Sequence, residues 1–219
     1  MTITINNPFA SLLVIANILG VITIVNLILA WRIWVSNKKH LVNIHYALSV
    51  LMTALWTFAM MEVRIVHDSV ALSLFARLLY FAPPLIAFFF WFFTYYFPFK
   101  SFQISRWQFA SLLAGTVLTL IISAAPDVLI ASRVQPERWF KPEISVFWNI
   151  IYAVIFITIM LSSFRNLLYK YRRSDGIWRI RLRQVIIATS VAASGGIVFS
   201  FNKIPRQLAA RRQYSIKSM

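Results

Sequence analysis

The stretch Leu78 to Phe97, LLYFAPPLIAFFFWFFTYYF, decides the fold of this chain. Its twenty residues carry no charge, and eleven of them are aromatic. A helix rises about 1.5 Å per residue, so twenty residues span about 30 Å, the thickness of the hydrocarbon core of a bilayer. A helix of a soluble protein would carry polar residues along one face, and this stretch does not. The sequence therefore predicts a membrane-spanning helix.

Two prolines, Pro83 and Pro84, lie inside this predicted helix. Each one lacks a backbone N–H, so each should kink the helix and free a carbonyl one turn earlier. A freed carbonyl is tolerated inside a membrane only where neighbouring groups supply a new donor. We therefore expect this helix to lie within a bundle.

The composition extends the membrane interpretation to the whole chain. Hydrophobic residues make up 60% of its 219 residues and charged residues 13%, whereas soluble domains carry about 25% charged residues. The sequence therefore predicts an all-α, polytopic transmembrane helix bundle of about six helices. These helices are predicted at residues 10–35, 41–61, 78–97, 107–126, 144–164 and 184–202, in a bundle over residues 1–205 that precedes a polar, basic tail at 206–219.

The basic residues lie almost entirely between the apolar stretches, so the net charge of +16 indicates topology and contact with anionic lipid rather than nucleic acid. The loops after the first, third and fifth predicted helices hold twelve Lys or Arg residues, and those after the second and fourth hold five. Since basic loops stay in the cytoplasm, we expect a multi-pass protein of the inner (plasma) membrane with its N-terminus outside.

The C-terminal tail does not fit this pattern. Residues 203–219 hold five basic residues and no acid, and they would lie outside if the sixth helix crossed the membrane. Either the sixth helix does not complete its crossing, or the chain lacks a seventh helix that would return the tail to the cytoplasm. We favour the second explanation.

The residues around the Leu78–Phe97 stretch resemble a known module. Trp56 and Glu62 close the second predicted helix, and LFARLLYFAPP (74–84) leads into the aromatic helix, which ends at Thr94-Tyr95. Near the other end stands RLRQVIIATSVAASGGIVFSFNKIP (181–205). This order resembles the N-terminal seven-helix sensor region of bacterial histidine kinases, over about residues 10–205. The positions that match the family pattern in the third helix are Arg77, Tyr80, Pro84 and Tyr95.

The chain departs from that family in two places. The loop after the fourth predicted helix lacks the Asn and His that the family pattern leads us to expect, and no seventh helix or kinase region follows. We therefore expect a truncated or solitary sensor module. The resemblance implies a membrane-embedded sensor or receptor of a two-component signal-transduction system, without a catalytic domain of its own. A cytoplasmic signalling partner or kinase and a homodimer are further expectations.

Glu62 and Arg77 are the first candidate site residues, because they lie at the adjoining ends of two predicted helices. Charges near the bilayer core are costly unless they are paired or solvated, so the two are expected to pair. The two residues would form a ligand anchor at the outer mouth or, as interfacial charges more often do, a structural clasp or two ends that snorkel to the interface. Tyr80 and Pro84 join this site through the resemblance.

A second candidate site is the basic stretch between the fifth and sixth predicted helices, which we expect to bind lipid head groups at about 1 kcal/mol per basic residue. Its residues are Arg165, Lys170, Arg172, Arg173, Arg179, Arg181 and Arg183. A docking site for a cytoplasmic partner is the alternative role.

No catalytic, cofactor or metal motif accompanies these residues. The chain has no phosphate-binding glycine loop and no cysteine, and His40 and His45 are five positions apart rather than the four that stack on one helix face. We therefore expect neither an enzyme nor a metalloprotein, and no cofactor. The functional alternatives to a sensor are a small transporter or channel subunit and, third, a non-functional remnant of a longer receptor.

The predicted orientation can be tested by labelling intact cells. Because the chain has no cysteine, Asp175→Cys and Ser132→Cys each introduce a single reactive thiol. A membrane-impermeant maleimide should label Ser132→Cys from outside and leave Asp175→Cys unlabelled until the membrane is opened. The reverse labelling pattern would contradict the orientation.

Overall fold

The part of the chain that the structure describes folds into six α-helices. The computed structural model describes residues 8–66, 68–99, 105–125 and 146–201, and these contain no strand. The helices are α1 Pro8–Ser36, α2 Leu41–Ile65, α3 Ser69–Tyr96, α4 Arg106–Ala124, α5 Val146–Arg173 and α6 Gly176–Phe201. The all-α prediction is thus confirmed. The predicted tail, and the loop where the chain departs from the sensor family, lie outside the described residues.

Five helices in the described part of the chain are long and apolar enough to cross a membrane. These candidate spans are Leu13–Ser36, Leu41–Ile65, Ser69–Tyr96, Arg106–Ala124 and Phe147–Arg173. Large apolar side chains such as Val21 on α1 and Ile121 on α4 are about 60% exposed. In water such faces would aggregate, whereas in a bilayer they meet acyl chains of the same polarity. The protein is a polytopic helical membrane protein.

Several helices extend beyond the apolar stretches that predicted them. The helix α2 continues through Glu62 to Ile65, and α3 begins at Ser69, nine residues before its predicted start. The start of α3 is fixed by Asp68, whose carboxylate accepts the Ala71 N–H at 2.8 Å. Hydropathy locates the part of a helix that meets lipid, and charged residues can extend the same helix beyond it.

The first of two compact units, Met1–Asn166, is tied together by hydrogen bonds between its helices. The Thr23 and Thr57 hydroxyls lie 2.9 Å apart and join α1 to α2. The Trp91 indole N–H donates to the Ser162 hydroxyl at 3.0 Å and joins α3 to α5. Beside this bond lies a core cluster formed by Ala87, Trp91, Tyr95 and Ile159. Such bonds typically contribute about 0.6 kcal/mol each in membranes.

The second unit, Leu167–Met219, contains the end of α5 and all of α6. Leu167 and Lys170 on α5 and Leu182 on α6 are fully buried. The Ser174 hydroxyl donates to the Lys170 carbonyl at 2.8 Å and closes the end of α5. Gly176 then starts α6 with φ at 57°, a conformation that favours glycine. The two helices are therefore joined by a very short turn.

Gly115 on α4 provides a test of close packing between α4 and α5. A Cβ atom at this position would lie 3.1 Å from the Ile155 Cγ2 atom. We expect Gly115→Val to lower the free energy of unfolding by about 1–3 kcal/mol, because the helices must move apart. The measurement is denaturant unfolding in lipid–detergent bicelles.

Two further variants isolate the contact. Ala110→Val introduces the same side chain at an exposed position of α4 and should be nearly neutral. In an Ile155→Ala background the glycine substitution should cost less, since the clashing atom is gone. An unchanged cost in that background would show that the two helices do not meet at Gly115.

Candidate functional site

The candidate site is built around the backbone carbonyl of Tyr80. The helix α3 runs unbroken through Pro83 and Pro84. Pro84 stands four residues after Tyr80 and has no N–H, so it cannot donate the usual helical hydrogen bond to this carbonyl. Instead, the Tyr152 hydroxyl of α5 donates to it at 2.8 Å and the Ser123 hydroxyl of α4 at 3.1 Å. Neighbouring helices thus replace the donor that Pro84 lacks, as the sequence predicts for this one of the two prolines.

We call Tyr80, Pro84, Ser123 and Tyr152 the proline node. Its two hydroxyl donors are not equivalent. The Ser123 oxygen also lies 2.7 Å from the Thr119 carbonyl of its own helix. A hydroxyl carries one proton, so Ser123 divides it between two acceptors. Tyr152 has the Tyr80 carbonyl as its acceptor, and this makes Tyr152 the principal donor of the node.

The proline node lies in a packed environment. Pro84 and Ser123 are fully buried and Tyr152 is nearly so. The rings of Tyr80 and Tyr152 meet edge to face, with centroids 5.8 Å apart. A core cluster surrounds the node with residues from four helices: Val63, Leu72, Ala76, Tyr80, Ile122, Trp148 and Ile151. The hydrogen bonds that link three helices at the node therefore lie next to an apolar cluster.

Arg77 lies one helical turn before Tyr80 on α3. The side chain is partly buried, and its Nε atom is buried with no hydrogen-bond partner. Glu62 lies in the last turn of α2 and is also partly buried. Within the described residues, no hydrogen bond or ion pair joins the Glu62 carboxylate to Arg77. The guanidinium therefore holds one buried donor without an acceptor.

The basic residues predicted to bind lipid separate into two groups. Six of them have exposed side chains: Arg165, Arg172, Arg173, Arg179, Arg181 and Arg183. Lys170 is fully buried and is not on the surface offered to head groups. The sequence did not reveal this difference, because all seven stand in one polar stretch.

Two members of the node, Ser123 and Tyr152, were not among the residues that the sequence singled out. A signal for them exists: a proline inside a spanning helix requires donors at the residue four positions earlier. Sequence alone does not say which hydroxyl on which neighbouring helix answers that requirement, since several Ser, Thr and Tyr residues lie at similar depth.

The described residues hold further polar and open features away from the node. The His45 ring stacks on Phe92 and Tyr96 of α3, with centroids 5.0 and 5.5 Å away. No group of three or more metal-binding side chains occurs in the described residues. A cavity of about 310 Å³ lies between α1 and α2, and its lining is almost wholly apolar: Thr23, Leu27, Leu51, Met52, Ala54, Leu55 and Phe58.

Comparisons with protein-family models, with curated proteins and with solved structures found no match for this chain. The resemblance to histidine-kinase sensors therefore rests on sequence patterns alone, between Trp56 and Tyr95 and over residues 181–205.

The role of the node can be tested by returning the missing donor. We expect Tyr152→Phe to lower the free energy of unfolding by about 0.6–1.7 kcal/mol, because the Tyr80 carbonyl loses its principal donor. In a Pro84→Ala background, residue 84 regains an N–H that can serve this carbonyl. The same Tyr152→Phe change should then be nearly neutral, as measured by denaturant unfolding in bicelles.

Tyr46→Phe is the matched control, since Tyr46 is 37% exposed and its hydroxyl makes no hydrogen bond in the described part of the chain. It should have little effect in either background. If Tyr152→Phe cost as much with Pro84→Ala as without it, the hydroxyl would be acting through something other than the Tyr80 carbonyl.

Proposed function

We propose that this protein is a membrane-embedded sensor module in which a stimulus changes how α3 packs against α4 and α5, and that this change passes to a separate signalling protein. The observation that carries the proposal is the Tyr80 carbonyl, which receives the Tyr152 and Ser123 hydroxyls in place of a backbone donor. We assign the binding of the stimulus to Arg77 and Glu62.

Side-chain donors suit a switch because they can be exchanged without unwinding a helix. A backbone hydrogen bond is fixed by the helix itself, whereas a hydroxyl changes its acceptor by one rotation. Ser123 already lies within reach of two acceptors, the Tyr80 and Thr119 carbonyls. Two arrangements of similar free energy are what a ligand needs if it is to shift a population.

Arg77 supports a ligand role because its buried Nε has no partner and stands one turn from the node. An anionic or carbonyl group that bound this donor would satisfy it, and its attachment would act on the same turn of α3 that ends at Tyr80. The Glu62 carboxylate would add a negative charge near the ligand. A structural clasp between Glu62 and Arg77 is the other arrangement that the same residues could adopt.

The cell context belongs to the same proposal. We place the chain in the inner (plasma) membrane with the N-terminus outside, from the distribution of Lys and Arg over the loops. Its output would be a cytoplasmic kinase or other signalling partner, and the sequence pattern that resembles histidine-kinase sensors supports this class of partner.

The experiment uses membrane vesicles that contain the chain together with a histidine kinase encoded beside it or retained with it on purification. We expect the kinase autophosphorylation rate to change about five-fold when the chain is present, a coupling of about 1 kcal/mol. With Pro84→Ala the autophosphorylation rate should no longer change when the chain is present, because residue 84 then gives the Tyr80 carbonyl a permanent backbone donor. Ala110→Val should behave as the unaltered chain.

A transporter or channel subunit is the alternative, and it predicts a different result. Liposomes that hold the purified chain would then release a labelled solute, and Pro84→Ala would alter that release. Solute flux together with an unchanged kinase rate would replace the sensor proposal with this one.

A further inference from the structure

The end of α5 and the start of α6 form an element that the sensor proposal does not use. We call residues 167–190 the basic hairpin. It contains six basic residues and one acid, Asp175. Five of the basic residues are exposed arginines, at positions 172, 173, 179, 181 and 183. An exposed charge of one sign and this density calls for an anionic partner.

Arg179 differs from the other arginines in how it is held. Its guanidinium on α6 lies over the Tyr171 ring of α5, with the Cζ atom 5.2 Å from the ring centroid. This contact joins the two helices, whereas Arg173 and Arg181 each lie over a ring of their own helix, Tyr169 and Trp178. A guanidinium stacked on a ring keeps its planar edge of N–H groups available for a bidentate acceptor.

Arg183 completes a pair with Arg179. The two residues are four positions apart on α6, so they lie on the same face with Cβ atoms about 5–6 Å apart. Both side chains are exposed, and the described residues place no carboxylate against either of them. Two guanidinium groups at this spacing fit the oxygens of one phosphate.

The neighbouring surface indicates that the phosphate belongs to a lipid. Ile177, Ile180 and Ile187 are 59%, 50% and 55% exposed, and their spacing puts them on one face of α6. Arg183 lies at the edge of this apolar stripe, three residues after Ile180 and four residues before Ile187. A stripe of exposed isoleucines beside arginines is typical of a helix that meets acyl chains on one side and head groups on the other. A water-soluble polyanion would gain nothing from the isoleucines.

We propose that Arg179 and Arg183 form a binding site for the phosphate of an anionic phospholipid, with Arg179 positioned by the Tyr171 ring. This inference is independent of the sensor proposal, since it concerns a different unit and a different ligand. The sequence led us to expect that the whole basic stretch attracts head groups; this proposal names Arg179, Arg183 and the Tyr171 ring as the specific site.

The test measures lipid binding to the full chain in an uncharged detergent by native mass spectrometry. The probes are dioctanoyl phosphatidylglycerol, dioctanoyl phosphatidylcholine and inorganic phosphate. We expect the phosphatidylglycerol to bind more tightly than the phosphatidylcholine, and inorganic phosphate not to displace it at equal concentration. Arg179→Lys keeps the charge but loses the planar fork, and it should weaken phosphatidylglycerol binding about five- to ten-fold.

Two variants distinguish a specific binding site from general attraction to the basic surface. Arg181→Lys makes the same chemical change two residues away, on the far flank of the isoleucine stripe, and should change the affinity less than about two-fold. Tyr171→Leu removes the ring without altering any charge and should weaken binding about three-fold or more. Thermal unfolding of each variant checks that it is folded, and Arg179→Lys carries the test if Tyr171→Leu is not.

Three results would overturn the proposal. Equal losses from Arg179→Lys and Arg181→Lys would indicate a diffuse basic surface. Displacement of the lipid by inorganic phosphate at equal concentration would indicate a site for free anions. Equal binding of phosphatidylcholine would indicate adhesion of acyl chains alone.

Discussion

The structure depends on a requirement that a lipid environment imposes: every backbone carbonyl in the membrane must find a donor inside the protein. Pro84 withdraws the donor that a regular helix would give to the Tyr80 carbonyl. The Tyr152 and Ser123 hydroxyls supply it from two other helices. A local defect of α3 thus becomes a link between α3, α4 and α5. The Tyr80 and Tyr152 rings pack edge to face beside this link.

The proposed sensing role rests on the same link. Lipid tails are as apolar as leucine side chains, so no hydrophobic force holds membrane helices in one arrangement, and small polar contacts decide between arrangements. The node holds several such contacts within one turn of Arg77, whose buried Nε has no partner. The basic hairpin belongs to the second unit and carries five exposed arginines.

Sequence reasoning succeeded where a property depends on composition along the chain and failed where it depends on helix ends and on accessibility. Each of the six predicted apolar stretches overlaps a helix of the described structure, and five of these helices are long and apolar enough to cross a membrane. The start of α3 was wrong by nine residues, since the cap at Asp68 and not the first apolar residue fixes it. Lys170 was grouped with exposed arginines although it is fully buried.

The sequence by itself determined that this chain is a set of membrane helices, that the third contains a proline defect, and that neighbours must repair it. These conclusions follow from hydropathy and from the missing N–H of proline, which are properties of single residues. Only the tertiary structure decided which hydroxyls make the repair and that Arg179 lies over Tyr171, and in its described residues no ion pair joins Arg77 to Glu62. Those are relations between residues on different helices, and they depend on helix packing that no local pattern specifies.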